Sequence, residues 1–232
     1  MIQKVEELKD KIIYSKLSET FNAINYPCIY GKISFNRNLM YAGVYKDILS
    51  TSIELLADDL KIMSQYLDNQ NNKDEMIFNT FIAVFDIDNS SFLFDAIWYE
   101  IIRKLHLFDK KEWKKDATKD LGDSEFKFSF DNKLWYPVLI TPNHPNKIRQ
   151  SKITILSFQA DQTFIFNKKL ANDFHQKKRK QIYKKIDKIY ENKRPHYLSE
   201  KSKGKYIVQY LGYDFEEDED FRYPSIILNS FR

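Results

Sequence analysis

The sequence predicts one α+β domain, in which a mixed, mainly antiparallel sheet is flanked by helices. Helical and strand-like periodicities intermingle along the chain. At least three strand patterns follow one another closely enough to pair as neighbours, and no repeat or long linker divides the sequence. With 232 residues, 43% of them hydrophobic and 16% aromatic, the chain can bury a sizeable core without disulfides or metal. We therefore assign residues 1–232 to a single domain.

In three segments of the first half of the chain, apolar residues recur at helical spacing and predict helices. Short, continuous apolar runs separate these segments. Pro27 ends the first segment because proline disfavours helix at the preceding residue. The runs between the segments are rich in β-forming residues. In chain order, the predicted elements are helix 1–22, strands 29–35 and 39–45, helix 47–67, strand 77–85 and a helix from N-cap residues 89–91 to about residue 108.

The clearest local pattern lies at residues 125–158 and predicts an antiparallel meander. Phe126, Phe128 and Phe130 alternate with other residues in strict period two. A short turn at 131–133 leads into a second apolar strand, which predicts a hairpin. The predicted second and third strands are residues 134–140 and 153–158.

The remaining segments carry weaker patterns. Residues 109–123 are charged around Trp113 and predict an irregular connection. A long lysine-rich stretch beyond the meander has an apolar stripe and predicts a basic helix. In chain order, the later predictions are a short strand at 163–166, a helix at 167–191, a strand at 205–210 and an acidic loop at 216–220.

Composition and charge argue against several classes of function. Only five glycines are present, so a glycine-rich phosphate loop is not expected, and the net charge of +4 is too small to require a polyanionic partner. A single cysteine rules out an intramolecular disulfide and favours a reducing cytoplasm. Neither a secretory leader nor an apolar run long enough to span a bilayer is visible. We expect a soluble cytoplasmic protein with no membrane partner.

The polar loop at residues 141–150, between two apolar strands, is the leading candidate for a site. It contains His144, whose imidazole can ligate iron or transfer protons. Lys147 and Arg149 can bind a carboxylate or a propionate. The alternative is a solvated turn stiffened by proline, with no chemistry. No nucleophile elbow, zinc-protease helix or dinucleotide motif competes with this loop.

Cys28 and a lysine-rich helix are the secondary candidates. A thiolate at Cys28 could ligate haem iron or act in redox chemistry, whereas most lone cysteines are small buried hydrophobes. Residues 168–188 carry many lysines, which usually form a solvated helix face. No nucleic-acid reader motif accompanies them, so nucleic acid is not expected as a partner.

The ordered set of motifs resembles the YqcI/YcgG family. Most of the chain is covered, and the order and spacing of the motifs carry the resemblance. The motifs are Tyr26-Pro27-Cys28, residues 81–85, the Trp98 helix, Glu112-Trp113, residues 125–130 and 134–140, the loop ending at Arg149, residues 156–159 and 179–187, and Gln209-Tyr210.

The resemblance implies haem chemistry, because characterised members of the family include haem-dependent N-hydroxylases of guanidine-type amino acids. In that pattern a His-Pro pair opens the loop and a second histidine follows the third strand. This chain has Thr141-Pro142 and Asp161 at those positions. Either the ligand has shifted to His144 or the chemistry has been lost.

The resemblance therefore supports two expectations. In the first, haem is bound with His144 or Cys28 as axial ligand, and Lys147 or Arg149 pairs with a propionate. A small amine or guanidine compound is then N-hydroxylated with electrons from an external donor. In the second, the fold persists as a non-catalytic small-molecule-binding or interaction domain without haem. The sequence leaves open whether the chain forms a homodimer.

Overall fold

A computed structural model describes the chain at residues 2–24, 26–71, 76, 78–87, 94–121, 123, 126–144, 146–163, 172–193 and 210–212. Within these residues, six strands form one open sheet with helices on both faces. The strands are β1 (Gln3–Lys4), β2 (Met40–Tyr45), β3 (Thr80–Phe85), β4 (Phe128–Phe130), β5 (Lys133–Ile140) and β6 (Thr154–Ala160). The helices are α1 (Lys11–Asn22), α2 (Ile29–Asn36), α3 (Ser50–Asp68), α4 (Phe94–Phe108) and α5 (Asn172–Ile189), with short 3-10 turns at Val5–Glu7 and Lys147–Arg149.

The sheet is mixed and mainly antiparallel, which confirms the predicted α+β class. Its strand order is β1-β2-β3-β6-β5-β4. Only the β2–β3 pair is parallel among the described strands, with α3 in the connection between them. Parallel neighbours need such a crossover, whereas antiparallel neighbours can be joined by a tight turn.

The meander predicted at residues 125–158 is present as β4-β5-β6. The hairpin turns at Asp131 and Asn132, whose φ angles of 49° and 57° lie in the left-handed region. Two consecutive residues with positive φ match the twist of the flanking strands, and Asn and Asp tolerate this conformation well. Phe128 consequently pairs with Trp135 across the hairpin.

The sheet buries a different core on each face. In β3, Phe81, Ala83 and Phe85 pack under α3 and α4, whereas Ile82 and Val84 pack toward α1. This alternation follows from the period of two along a strand. The first face is strongly aromatic, and its Trp98 indole donates to the Pro137 carbonyl at 2.7 Å. The central strand is therefore buried on both sides.

The prediction of a strand at residues 29–35 is wrong, because this segment forms helix α2. The Cys28 sulfur accepts a hydrogen bond from the Gly31 N–H at 3.3 Å and caps the start of the helix. Ile29 and Ile33 lie four residues apart and share one helical face. A short apolar run has too few residues for its periodicity to separate helix from strand.

The N-terminal helix predicted at residues 1–22 is shorter than expected. Residues 3–7 form β1 and a 3-10 turn, and α1 begins at Lys11 after Asp10. The Asp10 carboxylate accepts from the Ile12 and Ile13 N–H groups at 2.9 and 3.0 Å. Such an N-cap fixes the start of a helix more sharply than a loose apolar stripe does.

Two C-terminal strand predictions also differ from the structure where it is described. Thr163 lies in a helical turn that follows β6, and Tyr210 is helical rather than extended. The rest of these predictions, at residues 164–166 and 205–209, lies outside the described residues, as do N-cap residues 89–91 and the acidic loop at 216–220. None of the described helices is long and apolar enough to cross a membrane.

Candidate functional site

The polar loop at residues 141–150 connects β5 to β6 and is closed by its own backbone. The Thr141 N–H donates to the Arg149 carbonyl at 3.0 Å, and the Ser151 N–H donates to the Thr141 carbonyl at 3.2 Å. Asn146 caps the 3-10 turn within the loop, since its side-chain oxygen accepts from the Ile148 N–H at 3.2 Å. The loop is therefore an ordered unit, and the interpretation as a solvated turn is wrong for its buried half.

His144 is fully buried within this loop and uses both ring nitrogens. Its Nδ1 accepts from the Asn146 N–H at 3.0 Å, so the proton of the neutral ring belongs on Nε2. Nε2 lies 2.7 Å from the Leu211 carbonyl and donates to it. Burial lowers the pKa of His144 to about 4, and the positive charge of Arg149 also acts to lower it. The ring is a neutral structural link at pH 7.

The segment that His144 holds, residues 210–212, packs closely against the loop. The Asn146 side-chain amide donates to the Gly212 carbonyl at 3.0 Å. Gly212 has a φ of +69°, and a Cβ there would lie 2.5 Å from Cγ of Arg149. Only glycine allows both the left-handed backbone and this approach. Leu211 and Gly212 carry no local sequence signal, because no local pattern pairs residues so far apart along the chain.

A polar cleft of about 310 Å³ lies where the loop meets the end of α1. The Thr20 hydroxyl accepts from the Lys152 N–H at 3.1 Å and joins the two walls. The cleft contains three charged side chains, all exposed: Glu19, Lys147 and Lys152. The lining residues are Glu19, Thr20, Ala23, Tyr26, Pro142, Lys147, Ile148, Gln150, Ser151 and Lys152.

The cleft joins residues that sequence analysis considered separately. Lys147 was predicted as a site residue, whereas Glu19 and Lys152 were missed. Tyr26, part of the motif that contains Cys28, is buried at the cleft. Burial raises the pKa of Tyr26 well above its usual value, and Cys28 raises it further, while Arg149 acts in the opposite direction. The Tyr26 hydroxyl is therefore a protonated, neutral group at pH 7.

Cys28 lies outside the cleft and serves as the N-cap of α2. Its side chain is partly exposed, and it packs beside the core that contains Phe21 and Tyr26. Both Gly31 and Tyr26 hydrogen bond to its sulfur. The sulfur therefore acts as a helix cap beside the core, and Cys28 is not among the residues that line the cleft.

Thr141 and Asp161, the two positions at which the resemblance leads us to expect histidines, have other roles. Thr141 is buried and shapes the loop through its backbone. Asp161 pairs with the Lys127 ammonium at 3.2 Å and accepts from the Tyr136 hydroxyl at 3.0 Å. Both positions are therefore used to hold the meander and its loop together.

These residues do not fit haem as they are arranged. His144 could ligate iron only after losing a hydrogen bond at one buried nitrogen, and Arg149 packs against Gly212. Of the two predicted propionate partners, Lys147 is exposed at the cleft and Arg149 is not among the residues that line it. Among the described residues, no cluster of three or more His, Cys, Asp or Glu side chains is placed to hold a metal ion.

Comparison with known proteins gives a family assignment. The sequence model of the YqcI/YcgG family matches residues 17–224, which includes the second half of α1, the whole of β2 to β6, α5 and the polar loop. No curated protein and no solved structure shows a significant match.

Proposed function

The chain belongs to the YqcI/YcgG family, and from this premise we propose that it binds a small zwitterionic compound in the cleft beside the polar loop. The compound carries an amine or guanidinium group together with a carboxylate. The observation that supports this choice is the placement of one carboxylate and two ammonium groups around a single cleft of about 310 Å³.

The opposite charges of the cleft define the ligand. Glu19 supplies a carboxylate from the last turns of α1, and it can pair with the two parallel N–H groups of a guanidinium. Lys147 and Lys152 supply ammonium groups from the other wall, and neither has an ion-pair partner within the described part of the chain. A volume near 300 Å³ lies at the small end of ligand sites and suits a single amino acid.

The polar residues of the cleft hold its shape rather than perform chemistry. The Thr20 hydroxyl donates to the Lys16 carbonyl at 2.8 Å, and the Ser151 hydroxyl donates to the Ile153 carbonyl at 2.6 Å. The Gln150 amide donates to the His144 carbonyl at 2.9 Å. Because these groups are already oriented, the cleft needs little reordering on binding.

Titration calorimetry with arginine tests this proposal. Arginine carries both charge types, whereas agmatine lacks the carboxylate and valerate lacks the cation. We expect arginine to bind more tightly than either, and Glu19→Gln to weaken arginine and agmatine while sparing valerate. Lys147→Gln with Lys152→Gln is expected to weaken the binding of arginine and valerate while sparing agmatine.

The matched controls are Glu54→Gln and Lys110→Gln, which remove exposed charges of the same types elsewhere. Equal weakening by the control and the cleft variants would overturn the proposal, and so would the absence of binding by all three compounds.

The second candidate is haem-dependent N-hydroxylation of such a compound, and family membership is what supports it. The arrangement of His144, Thr141 and Asp161 does not favour it. An absorbance spectrum of protein produced with added haem tests it directly. A Soret band that shifts in His144→Ala or Cys28→Ala would identify the axial ligand. Absence of the band, or a band unchanged in both variants, would contradict the ligand assignment.

A further inference from the structure

A groove between α2 and α5 is lined by both aliphatic and cationic side chains. Its volume is about 560 Å³, which is within the range of small-molecule sites. None of the residues that line this basic groove also lines the cleft beside the polar loop. The lining residues of the basic groove are Ile29, Lys32, Ile33, Asn36, Arg37, Gln181, Lys184 and Lys185.

The two isoleucines of the basic groove are only partly buried by the described residues. Ile29 and Ile33 lie four residues apart, so their side chains share one face of α2. Ile33 packs against the small core of Leu39 and Phe78, but both isoleucines keep part of their surface exposed. An apolar group that covered this aliphatic surface would be stabilised, because the surface would leave water.

The four cations of the basic groove lack anionic partners among the described residues. No acidic residue lines the groove within that part of the chain, and the ion pairs found there involve other side chains. Clustered like charges repel one another, so an anionic occupant would relieve this repulsion. The four residues are Lys32 and Arg37 on the side of α2, and Lys184 and Lys185 on α5.

Arg37 supplies the contact best suited to an anionic head group. Its guanidinium lies 5.4 Å from the centre of the Phe78 ring, an interaction that leaves its charge uncompensated. The planar guanidinium has five N–H donors in a fixed fork, which can hold both oxygens of a carboxylate. Arg37 is the C-cap of α2 and follows Ile33 by four residues. The cation therefore lies next to the aliphatic surface of the groove.

Open aliphatic surface beside uncompensated cations fits an amphiphilic anion. We infer that the basic groove binds a molecule of the fatty-acid class, with one alkyl chain and one anionic head group. The chain covers Ile29 and Ile33, and the head group pairs with Arg37 and the lysines. No aromatic side chain is among the described lining residues, so the groove offers no stacking platform for a nucleobase. The alternative is that the alkyl stems of the lysines cover the isoleucines, and it predicts no binding.

Titration calorimetry of the full chain with decanoate, below its micelle concentration, tests this inference. We expect one decanoate to bind per chain. Two probes, 1-decanol without the charge and butyrate without most of the alkyl chain, should each bind at least about tenfold more weakly. Absence of decanoate binding, or equal affinities for decanoate and either of the other probes, would overturn the inference.

Two variants separate the charged contact from the apolar one. Lys184→Gln with Lys185→Gln should weaken decanoate binding about tenfold, because the head group loses charge-assisted hydrogen bonds. Ile29→Ser should weaken it by a similar factor, because the alkyl chain loses aliphatic contact. Circular dichroism checks that each variant is folded.

Matched controls remove the same side-chain types at other exposed positions. They are Lys110→Gln with Lys111→Gln, an adjacent pair outside the groove, and Ile62→Ser on α3. Both controls should leave decanoate binding unchanged. Equal weakening by the groove variants and their controls would contradict binding in the basic groove.

A decanoate that carries a photoreactive diazirine in its chain locates the site directly. Peptide mapping is expected to find the label mainly within residues 29–37 and 181–185, and a label found mainly elsewhere would refute the assignment. Phosphatidylglycerol vesicles distinguish a free amphiphile from a lipid held in a bilayer. Sedimentation of the protein with these vesicles, without binding of decanoate, would mean a membrane contact and would also overturn the inference.

Discussion

The aromatic core beneath α3 and α4 and the buried half of the polar loop at residues 141–150 both exclude solvent, but different forces hold them. The core is filled by interlocking rings, with Phe81 and Phe158 stacked at 5.9 Å and Trp135 edge-on to Phe158. The loop buries His144 and Asn146 in a network of directional hydrogen bonds. Apolar burial scales with area, whereas a buried polar group depends on its specific partner.

Because different forces hold them, the aromatic core and the polar loop tolerate different substitutions. The core can accept another hydrophobic side chain of similar volume, because volume-conserving changes can be repacked. The loop cannot accept a residue that lacks the donor or acceptor pattern of the original, since the partner is then left buried and unsatisfied. Substitutions in the two regions should therefore differ both in size and in their dependence on pH.

Trp98→Ala should have the largest effect, because it empties the centre of the aromatic core. Trp98 is fully buried, stacks on Tyr210 at 6.1 Å and donates to Pro137. Removal of so large a side chain costs about 4 kcal/mol of unfolding free energy. Urea titration followed by circular dichroism measures this loss. Trp98→Phe keeps most of the side-chain volume and should recover more than half of the unfolding free energy that Trp98→Ala loses. Equal losses in the two variants would show that the hydrogen bond to Pro137 dominates.

His144 should make stability depend on pH in a way that the core does not. The unfolded imidazole takes up a proton below about pH 6.5, whereas the folded ring stays neutral until about pH 4. The unfolded state therefore binds more protons in this window, and stability falls as the pH falls. The contribution of His144 is full above pH 6.5 and is lost progressively toward pH 4, on the order of 3 kcal/mol in total.

His144→Gln provides the comparison for that measurement. The amide can donate to the Leu211 carbonyl and accept from the Asn146 N–H, but it does not titrate. Unfolding free energies measured from pH 7 to pH 4 should decline less steeply in this variant than in the wild type. Parallel declines in the two proteins would show that other groups cause the acid sensitivity.

Gly212→Ala should have an intermediate effect, because it strains the interface between the loop and residues 210–212. The left-handed backbone at φ +69° and the overlap with the Arg149 side chain together cost about 2 kcal/mol of unfolding free energy. Thermal unfolding measures the change. Gly212→Ala combined with Arg149→Ala should lose less than the sum of the single variants, since the overlap is then absent. Additive losses would place the strain in the backbone alone.

Lys133→Ala should have the smallest effect, although the Lys133 ammonium lies only 2.6 Å from the Asp68 carboxylate. Asp68 is mostly exposed, and an ion pair with one partner in solvent contributes less than about 1 kcal/mol. Urea titration at low and high salt measures it. A loss as large as that of Gly212→Ala would mean that polar contacts stabilise this protein irrespective of burial, and the distinction between its two regions would fail.

The core could be predicted from the sequence more completely than the loop, for a physical reason. Periodicity located β3, α3 and the meander because burial repeats every two residues in strands and every three to four in helices. The same reasoning located the loop as a polar interruption. It could not show that His144 is buried, since the burial depends on Leu211, which lies 67 residues away.

The same limit explains the missed cleft residues. Glu19 and Lys152 lie far apart in the sequence and meet at the cleft, where the Lys152 N–H donates to Thr20, the neighbour of Glu19. The α2 segment was predicted wrongly for a different reason. Its eight residues are compatible with both helical and extended conformations, and the capping sulfur of Cys28 favours the helix.

The strand order has a consequence for how the chain folds. The β4-β5-β6 meander joins strands that are adjacent in sequence, whereas β2 and β3 pair only after the chain crosses through α3. Closing short loops costs less entropy than closing long ones. We expect the meander to form early, so substitutions at its turn, such as Asn132→Ala, should slow refolding. Substitutions in β1, at the edge of the sheet, should mainly speed unfolding.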